Sequence, residues 1–285
     1  MPKYLTILII SCFVFTAYSQ GLFQTEQSDC FLRNCDFGQR QIEFGYFIVP
    51  ENYEKPEGRS IKIAYAIAKS ISKTTNTPLI YFEGGWGSPT IENIHRLIGM
   101  LSMDDRDIIF VDYRGTGFSE PQICTWLGDS TWSNLKADRG LENSYSRQLA
   151  NFNSCFDSLA NLEIDYNQYG QNTSSRDMVK LAEALNYEVY NLLGISYGTR
   201  AIQNFIREAE KSTITIRAAV LESNVPIGIA KQGKNAINYH RTVDKLFTAC
   251  EQDALCNGKY SDLRARYTAF LARLDQQPIT IELGT

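Results

Sequence analysis

The sequence predicts an α/β fold in which helices cover both faces of a mostly parallel β-sheet. Nearly continuous apolar runs, which are typical of strands buried on both faces, occur four times. They lie at residues 79–82, 107–111, 189–193 and 218–221, with helical segments between them. Strands that alternate with helices in this way indicate an α/β architecture, because the helices connect parallel strands across the sheet.

An antiparallel pair of strands precedes these runs. Residues 41–49 and 60–68 alternate between apolar and polar side chains, which is typical of strands with one buried face. The turn between them contains Pro56 and Gly58, two residues that favour turns.

Helices are predicted on both sides of the third apolar run. One begins at Ser174 or Ser175, either of which can cap it, and runs through Leu185. Asp177 lies in its first turn, where a carboxylate interacts favourably with the helix dipole. The next helix covers residues 197–209 and begins directly at the end of the strand.

The last part of the chain has a different character. After Pro226 it is polar and helical to about Leu274, and a strand-like run follows at residues 279–281. We therefore predict an α/β core at residues 20–228 and a helical cap segment at residues 229–285. Since the chain ends in a strand-like run without a closing helix, the C-terminal part of the fold is expected to be missing.

Residues 1–19 predict a signal peptide and hence a secreted or periplasmic protein. Lys3 precedes an apolar run at residues 4–15, and residues 17–19 fit a small-x-small cleavage site. The run is too short to span a bilayer, so no membrane association is expected beyond the signal peptide. Two alternatives remain open: an uncleaved anchor, and a lipoprotein-type site at Cys12.

A net charge of −4 argues against binding to nucleic acid.

The cysteines indicate disulfides rather than a metal site. Cleavage of the signal peptide leaves six cysteines, an even number in an oxidising compartment. They can pair in fifteen ways, of which nearest-neighbour pairing is one. No Cys-x-x-Cys pair is present, and neither histidine lies at ligand spacing from a cysteine. We therefore expect no metal and no cofactor. The six cysteines are at positions 30, 35, 124, 155, 250 and 256.

A catalytic serine is predicted at the end of the third apolar run. Residues 194–198 read Gly-Ile-Ser-Tyr-Gly, a G-x-S-x-G pattern between a strand and a helix. This pattern is typical of a nucleophile elbow, a strained turn in which glycines avoid clashes with neighbouring backbone. Ser196 is the predicted nucleophile. An ordinary turn with an idle serine is the alternative.

Two other loops accompany the predicted elbow. The glycine-rich segment 83–88 can supply an oxyanion donor from the Gly85 N–H, with the Tyr197 N–H as the second donor. In segment 112–119, Asp112 is expected to pair with Arg114 and brace the loop. The glycines of this segment lack the third glycine and the lysine of a phosphate-binding loop, so nucleotide binding is not expected.

Together these motifs resemble the branch of the α/β-hydrolase family that contains proline iminopeptidases and secreted tripeptidyl aminopeptidases. That branch has G-G-P-G, D-x-R-G-x-G-x-S and G-x-S-Y-G-T in this order; here they correspond to residues 84–87, 112–119 and 194–199. The resemblance implies an α/β-hydrolase fold with a helical cap and a serine peptidase that acts on peptide N-termini without a cofactor. Trp86 departs from the pattern by replacing proline. Since proline has no N–H, the family's donor is placed on Gly85.

The acid and the histidine of a triad are not identified. In this fold they follow the serine, and the family's own would lie beyond Thr285. His240 follows Ser196 but is expected to be a cap or surface residue, and His95 precedes the serine inside a predicted helix. Glu222, just past a strand, is an alternative acid. A carboxylesterase on the same core and a catalytically inactive binding protein therefore remain alternative hypotheses.

Overall fold

The computed structural model describes residues 22–72, 76–85, 87–137, 140–229 and 232–279. The chain divides between Ile227 and Gly228 into two compact units. The predicted signal peptide lies outside the described residues.

The first unit contains a seven-stranded sheet in the order β1-β2-β3-β5-β4-β6-β7. The first three strands are antiparallel to their neighbours, and the last four are parallel to one another. The predicted mixed, mostly parallel α/β sheet is therefore confirmed, whereas β1 was not predicted. The strands are β1 Thr25–Ser28, β2 Ile42–Pro50, β3 Ser60–Ala68, β4 Asn76–Phe82, β5 Arg106–Val111, β6 Val189–Ile195 and β7 Thr215–Glu222.

Helices of the first unit connect these strands. They are α1 Ile94–Leu101, α2 Leu127–Lys136, α3 Leu141–Asn161, α4 Gln171–Ala184 and α5 Tyr197–Ala209. The last of them has the predicted bounds. The predicted start of α4 is wrong, because its N-cap is Gly170 and Ser174 lies inside the helix. The Ser174 hydroxyl donates to the Gly170 carbonyl at 3.1 Å, which satisfies it without capping.

The second unit is helical in its described part. It contains α6 Asn235–Gln252, α7 Ala254–Lys259 and α8 Leu263–Gln276. Ile279 belongs to no strand, and the rest of the predicted strand-like run lies outside the described residues.

Both faces of the central strands are buried, which explains their continuous apolar sequences. In β4, Ile80 and Phe82 point to the side that packs against α4 and α5. Leu79 and Tyr81 point to the side covered by α1. The edge strand β7 differs, because most of its residues are exposed, and Val220 retains 57% of its surface.

Three disulfides have the nearest-neighbour pairing, namely Cys30–Cys35, Cys124–Cys155 and Cys250–Cys256. Such bonds persist in oxidising compartments, so they favour an extracellular or otherwise oxidising environment. The second bond closes a separation of 31 residues and is expected to stabilise the fold by roughly 3–4 kcal/mol on the chain-entropy model. Among the helices the structure describes, none is long and apolar enough to cross a bilayer.

Asp107, at the start of β5, joins three parts of the first unit. Its carboxylate accepts the Ser70 N–H at 2.8 Å and the Tyr187 O–H at 2.5 Å, and it lies 2.6 Å from Nζ of Lys69. Burial acts to raise the pKa of Asp107, but the bonds from Lys69, Tyr187 and Ser70 outweigh it and hold the pKa below its usual value.

The Asp107→Asn variant is expected to lose less stability in acid than the parent protein does. Because the folded-state pKa is lowered, the ionised carboxylate stabilises the fold above its unfolded pKa of about 3.9. That contribution disappears as the pH falls through the folded-state pKa. The free energy of unfolding in urea should therefore differ less between pH 7 and pH 3 for Asp107→Asn than for the parent. Asp157→Asn, at an exposed position of α3, serves as the control; equal differences for the two variants would contradict the prediction.

Candidate active site

Ser196 occupies a strained turn between β6 and α5. Its φ of 54° and ψ of −115° lie in a region that residues other than glycine rarely adopt. The Ser196 N–H donates to the Glu222 carbonyl of β7 at 2.9 Å. Its carbonyl accepts the N–H and the hydroxyl of Thr199 at 3.1 and 2.6 Å. Hydrogen bonds to β7 and α5 therefore hold the backbone of this partly exposed serine in the strained conformation.

The glycines on either side of the serine are required by close backbone contacts. A Cβ on Gly194 would lie 2.7 Å from the carbonyl carbon of Gly198. A Cβ on Gly198 would overlap the Phe82 carbonyl oxygen and lie 2.9 Å from that of Glu83. The elbow motif thus lets β6, α5 and the end of β4 approach one another.

The glycine-rich loop after β4 lies directly against this turn. In the parallel pairing of β4 with β6, Phe82 lies beside Gly194. The residues that follow Phe82 and those that follow Gly194 are therefore neighbours at the same edge of the sheet. A Cβ built on Gly84 would lie 3.4 Å from the Cβ of Ser196. Gly85, the next residue, is exposed and has a φ of 77°, a value that favours glycine.

The two backbone groups predicted to form an oxyanion hole are the N–H groups of Gly85 and Tyr197. The Gly84 N–H donates to Oε1 of Glu83 at 2.8 Å, whereas the hydrogen bonds of the described residues include none from the Gly85 N–H. Tyr197 is the first residue of α5, so its N–H lies at the positive end of the helix dipole. The donor roles of Gly85 and Tyr197 remain predictions, and Trp86 lies outside the described residues.

The expected ion pair between Asp112 and Arg114 is wrong. The Asp112 carboxylate instead accepts three backbone N–H groups, from Thr90 at 2.6 Å, Ile91 at 3.0 Å and Phe118 at 2.9 Å. Burial raises the pKa of Asp112, although these three bonds act to lower it. Asp112 therefore braces the site by joining its own loop to the segment that follows the glycine-rich loop.

Arg114 pairs with Asp177 of α4. Two hydrogen bonds of 2.6 and 2.7 Å join their side chains, which are 0% and 2% exposed. Tyr53 donates its hydroxyl to the same carboxylate at 2.8 Å, and Arg114 also donates to the Glu51 carbonyl at 2.6 Å. The Asp177 carboxylate thus serves as a buried counter-charge to Arg114. The sequence predicts only that Asp177 interacts with the dipole at the start of its helix.

Within the described part of the first unit, neither His95 nor the side chain of Glu222 has a hydrogen bond to Ser196. His95 stacks on Phe37 with ring centroids 4.3 Å apart, and its Nε2 lies 3.0 Å from the Asn34 carbonyl. Glu222 adjoins Ser196 through its backbone carbonyl. His240 belongs to α6 in the second unit, where its ring contacts Tyr239. Among the described residues, no group of three or more His, Cys, Asp or Glu side chains could hold a metal ion.

The serine elbow lies at the carboxyl end of a parallel strand and against a glycine-rich loop. This arrangement is typical of hydrolases. The family model described as "alpha/beta hydrolase fold" matches residues 77–278. The chain therefore belongs to the α/β-hydrolase fold family. No curated protein shows detectable sequence similarity to it.

Several solved structures resemble the chain at low sequence identity. A candidate epoxide hydrolase from Pseudomonas aeruginosa is 16% identical, with 84% of this chain and 61% of that chain covered and a TM-score of 0.38. Juvenile hormone epoxide hydrolase from the silkworm Bombyx mori is 14% identical, with 82% and 42% covered and a TM-score of 0.39. A proline iminopeptidase-related protein from Thermus thermophilus is 16% identical, with 64% and 44% covered and a TM-score of 0.36. The chain thus spans about three fifths of the first of these, or 61%.

Proposed function

We propose that this chain carries the nucleophile and oxyanion part of an exported serine hydrolase that acts as an aminopeptidase. The observation that carries the proposal is the strained backbone of Ser196, with a φ of 54°, at a turn that touches the glycine-rich loop. Strain of this kind persists only where surrounding structure enforces it, and it concentrates at functional sites.

In the proposed reaction, Oγ of Ser196 attacks the carbonyl carbon of the substrate. The N–H groups of Gly85 and Tyr197 then donate to the developing oxyanion, and the N-terminus of α5 adds its positive dipole end. Loss of one such donor typically costs about 2.7–4 kcal/mol in the barrier. The attacking hydroxyl also needs a general base. In the described part of the first unit, no histidine hydrogen-bonds to Ser196, and we assign no base.

A peptide substrate is supported by the order of the three motifs, which resembles that of the aminopeptidase branch. Export is supported by residues 1–19, which have the pattern of a signal peptide, and by the three disulfides. A peptide entering this site would place its scissile carbonyl between Ser196 and the glycine-rich loop. The proposed substrate is therefore a peptide with a free N-terminus, outside the cell or in the periplasm.

Hydrolysis of aminoacyl and tripeptidyl anilides, compared with that of short acyl esters, tests this function. In a form of the protein that also supplies the general base, we expect faster turnover of the anilides, and complete loss of turnover of both substrates in Ser196→Ala. Ser212→Ala is a suitable control, because Ser212 lies beyond the far end of α5 and its hydroxyl bonds only to the Ala209 carbonyl among the described residues. Faster ester turnover would instead identify a carboxylesterase. Activity that survives Ser196→Ala would reject the nucleophile, and no turnover at all would favour a binding protein.

A further inference from the structure

Glu83 is a carboxylate placed between β4 and the glycine-rich loop. Its side chain is 13% exposed. Oε1 accepts the Gly84 N–H at 2.8 Å and the Tyr81 hydroxyl at 3.3 Å. Oε2 lies 3.4 Å from a guanidinium nitrogen of Arg96 in α1. Sequence reasoning assigned no role to this residue, because one acidic side chain before a glycine pair has no distinctive pattern.

We propose that Glu83 is a positioning residue for the oxyanion loop and that Arg96 neutralises its charge. By accepting the Gly84 N–H, the carboxylate fixes the first peptide plane of the loop and leaves the next N–H, that of Gly85, for the substrate oxyanion. This inference rests on the proposed function, since it assigns Glu83 a task in the same reaction.

The need for such a residue follows from the glycines themselves. Two consecutive glycines have more conformational freedom than any other pair of residues, so the loop requires an external restraint to keep its N–H groups in place. Gly84 lies against Ser196, with a built Cβ 3.4 Å from that of the serine. A small rotation of the Gly84 peptide would therefore move the Gly85 N–H relative to the reacting carbonyl, and oxyanion donors act only within a narrow range of distance.

The charge of Glu83 explains the position of Arg96. A negative charge beside the loop opposes the formation of an oxyanion, because like charges in a poorly solvated site repel each other. The guanidinium of Arg96 supplies the opposite charge from α1. Since the Arg96 side chain is 60% exposed, its effect is partly screened by solvent and salt. Neutralisation by Arg96 should thus be weaker than the positioning effect of Glu83.

The rate at which a fluorophosphonate labels Ser196, in a form of the protein that also supplies the general base, separates these two roles. Glu83→Ala should slow labelling by about 100-fold, the range found when one oxyanion donor is lost. Glu83→Gln should retain most of the parent rate, because its amide oxygen still accepts the Gly84 N–H. Arg96→Gln should slow labelling several-fold in the parent, and it should have no effect in the Glu83→Gln background, where no charge remains to be neutralised.

Two results would overturn the inference. Labelling of Glu83→Ala at the parent rate would remove the positioning role, and equal slowing by Glu83→Gln and Glu83→Ala would show that the charge acts directly. Thermal unfolding shows whether Glu83→Ala folds. If it does not, the effect of Arg96→Gln on the labelling rate is compared in the parent and in Glu83→Gln. Equal slowing of labelling in both backgrounds would reject the pairing of Glu83 with Arg96. A parent chain that is not labelled at Ser196 would reject the proposed function and this inference together. A labelled parent with an unaffected Glu83→Ala rejects this inference alone.

Discussion

Asp177→Ala is expected to lower the free energy of unfolding by about 3–5 kcal/mol, the usual cost of breaking one side of a buried ion pair. The two side chains of the Arg114–Asp177 pair are 0% and 2% exposed, so water cannot replace the lost carboxylate. Arginine stays charged at any accessible pH. The variant therefore leaves an unpaired guanidinium in the interior, and Tyr53 also loses the acceptor of its hydroxyl.

Urea unfolding of the parent and of Asp177→Ala measures this cost. Lys180→Ala is a matched control in the same helix, because it removes one side of the partly exposed pair Lys180–Glu183; such pairs contribute about 0.5 kcal/mol or less. A loss below about 1 kcal/mol for Asp177→Ala would be typical of a surface ion pair and would contradict the role of Asp177 as a buried counter-charge to Arg114.

Gly198→Ala is expected to destabilise the fold by about 3 kcal/mol or more, the upper range for overpacking. The new Cβ would overlap the Phe82 carbonyl oxygen, and it would lie 2.7 Å from the Phe82 carbonyl carbon and 2.9 Å from the Glu83 oxygen. All three are backbone atoms of β4 or its end, which cannot rotate away as a flexible side chain could. The variant must therefore separate α5 from β4, and this movement would also pull the elbow from the glycine-rich loop.

The same substitution at Gly99 provides the control for Gly198→Ala. Gly99 lies in α1, and a Cβ built there meets no atom within 4 Å. Alanine is favoured over glycine in a helix by about 0.5–1 kcal/mol, so Gly99→Ala should be neutral or stabilising. Thermal and urea unfolding of both variants provide the comparison. Equal stability of the two variants would show that β4 and α5 are not in the close contact described.

The sheet could be predicted from sequence where burial determines the pattern. Central strands such as β4 and β5 are buried on both faces, so their apolar runs were sufficient to locate them. The edge strand β1 consists of Thr-Glu-Gln-Ser and pairs with β2 through its backbone, so its side chains carried no signal. The start of α4 was misplaced because Ser174 bonds back to the preceding turn instead of capping the helix.

The candidate site shows the same contrast between local and long-range features. The elbow and the glycine-rich loop were located because each is a continuous motif, and the parallel pairing of β4 with β6 brings them together. The partner of Arg114 is 63 residues away along the chain, a contact that no spacing rule predicts. For Asp112, the sequence suggested a nearby side chain, but backbone N–H groups satisfy the carboxylate, and such partners depend on the path of the folded chain.

We propose that the fold presents the hydroxyl of Ser196 as a nucleophile beside two backbone donors. Labelling of a form of the protein that also supplies the general base, with a fluorophosphonate and followed by peptide mass spectrometry, tests it most directly. We expect one adduct per chain, located on Ser196 and absent from the Ser196→Ala variant. An adduct on another residue, or a folded chain that remains unmodified, would contradict the claim.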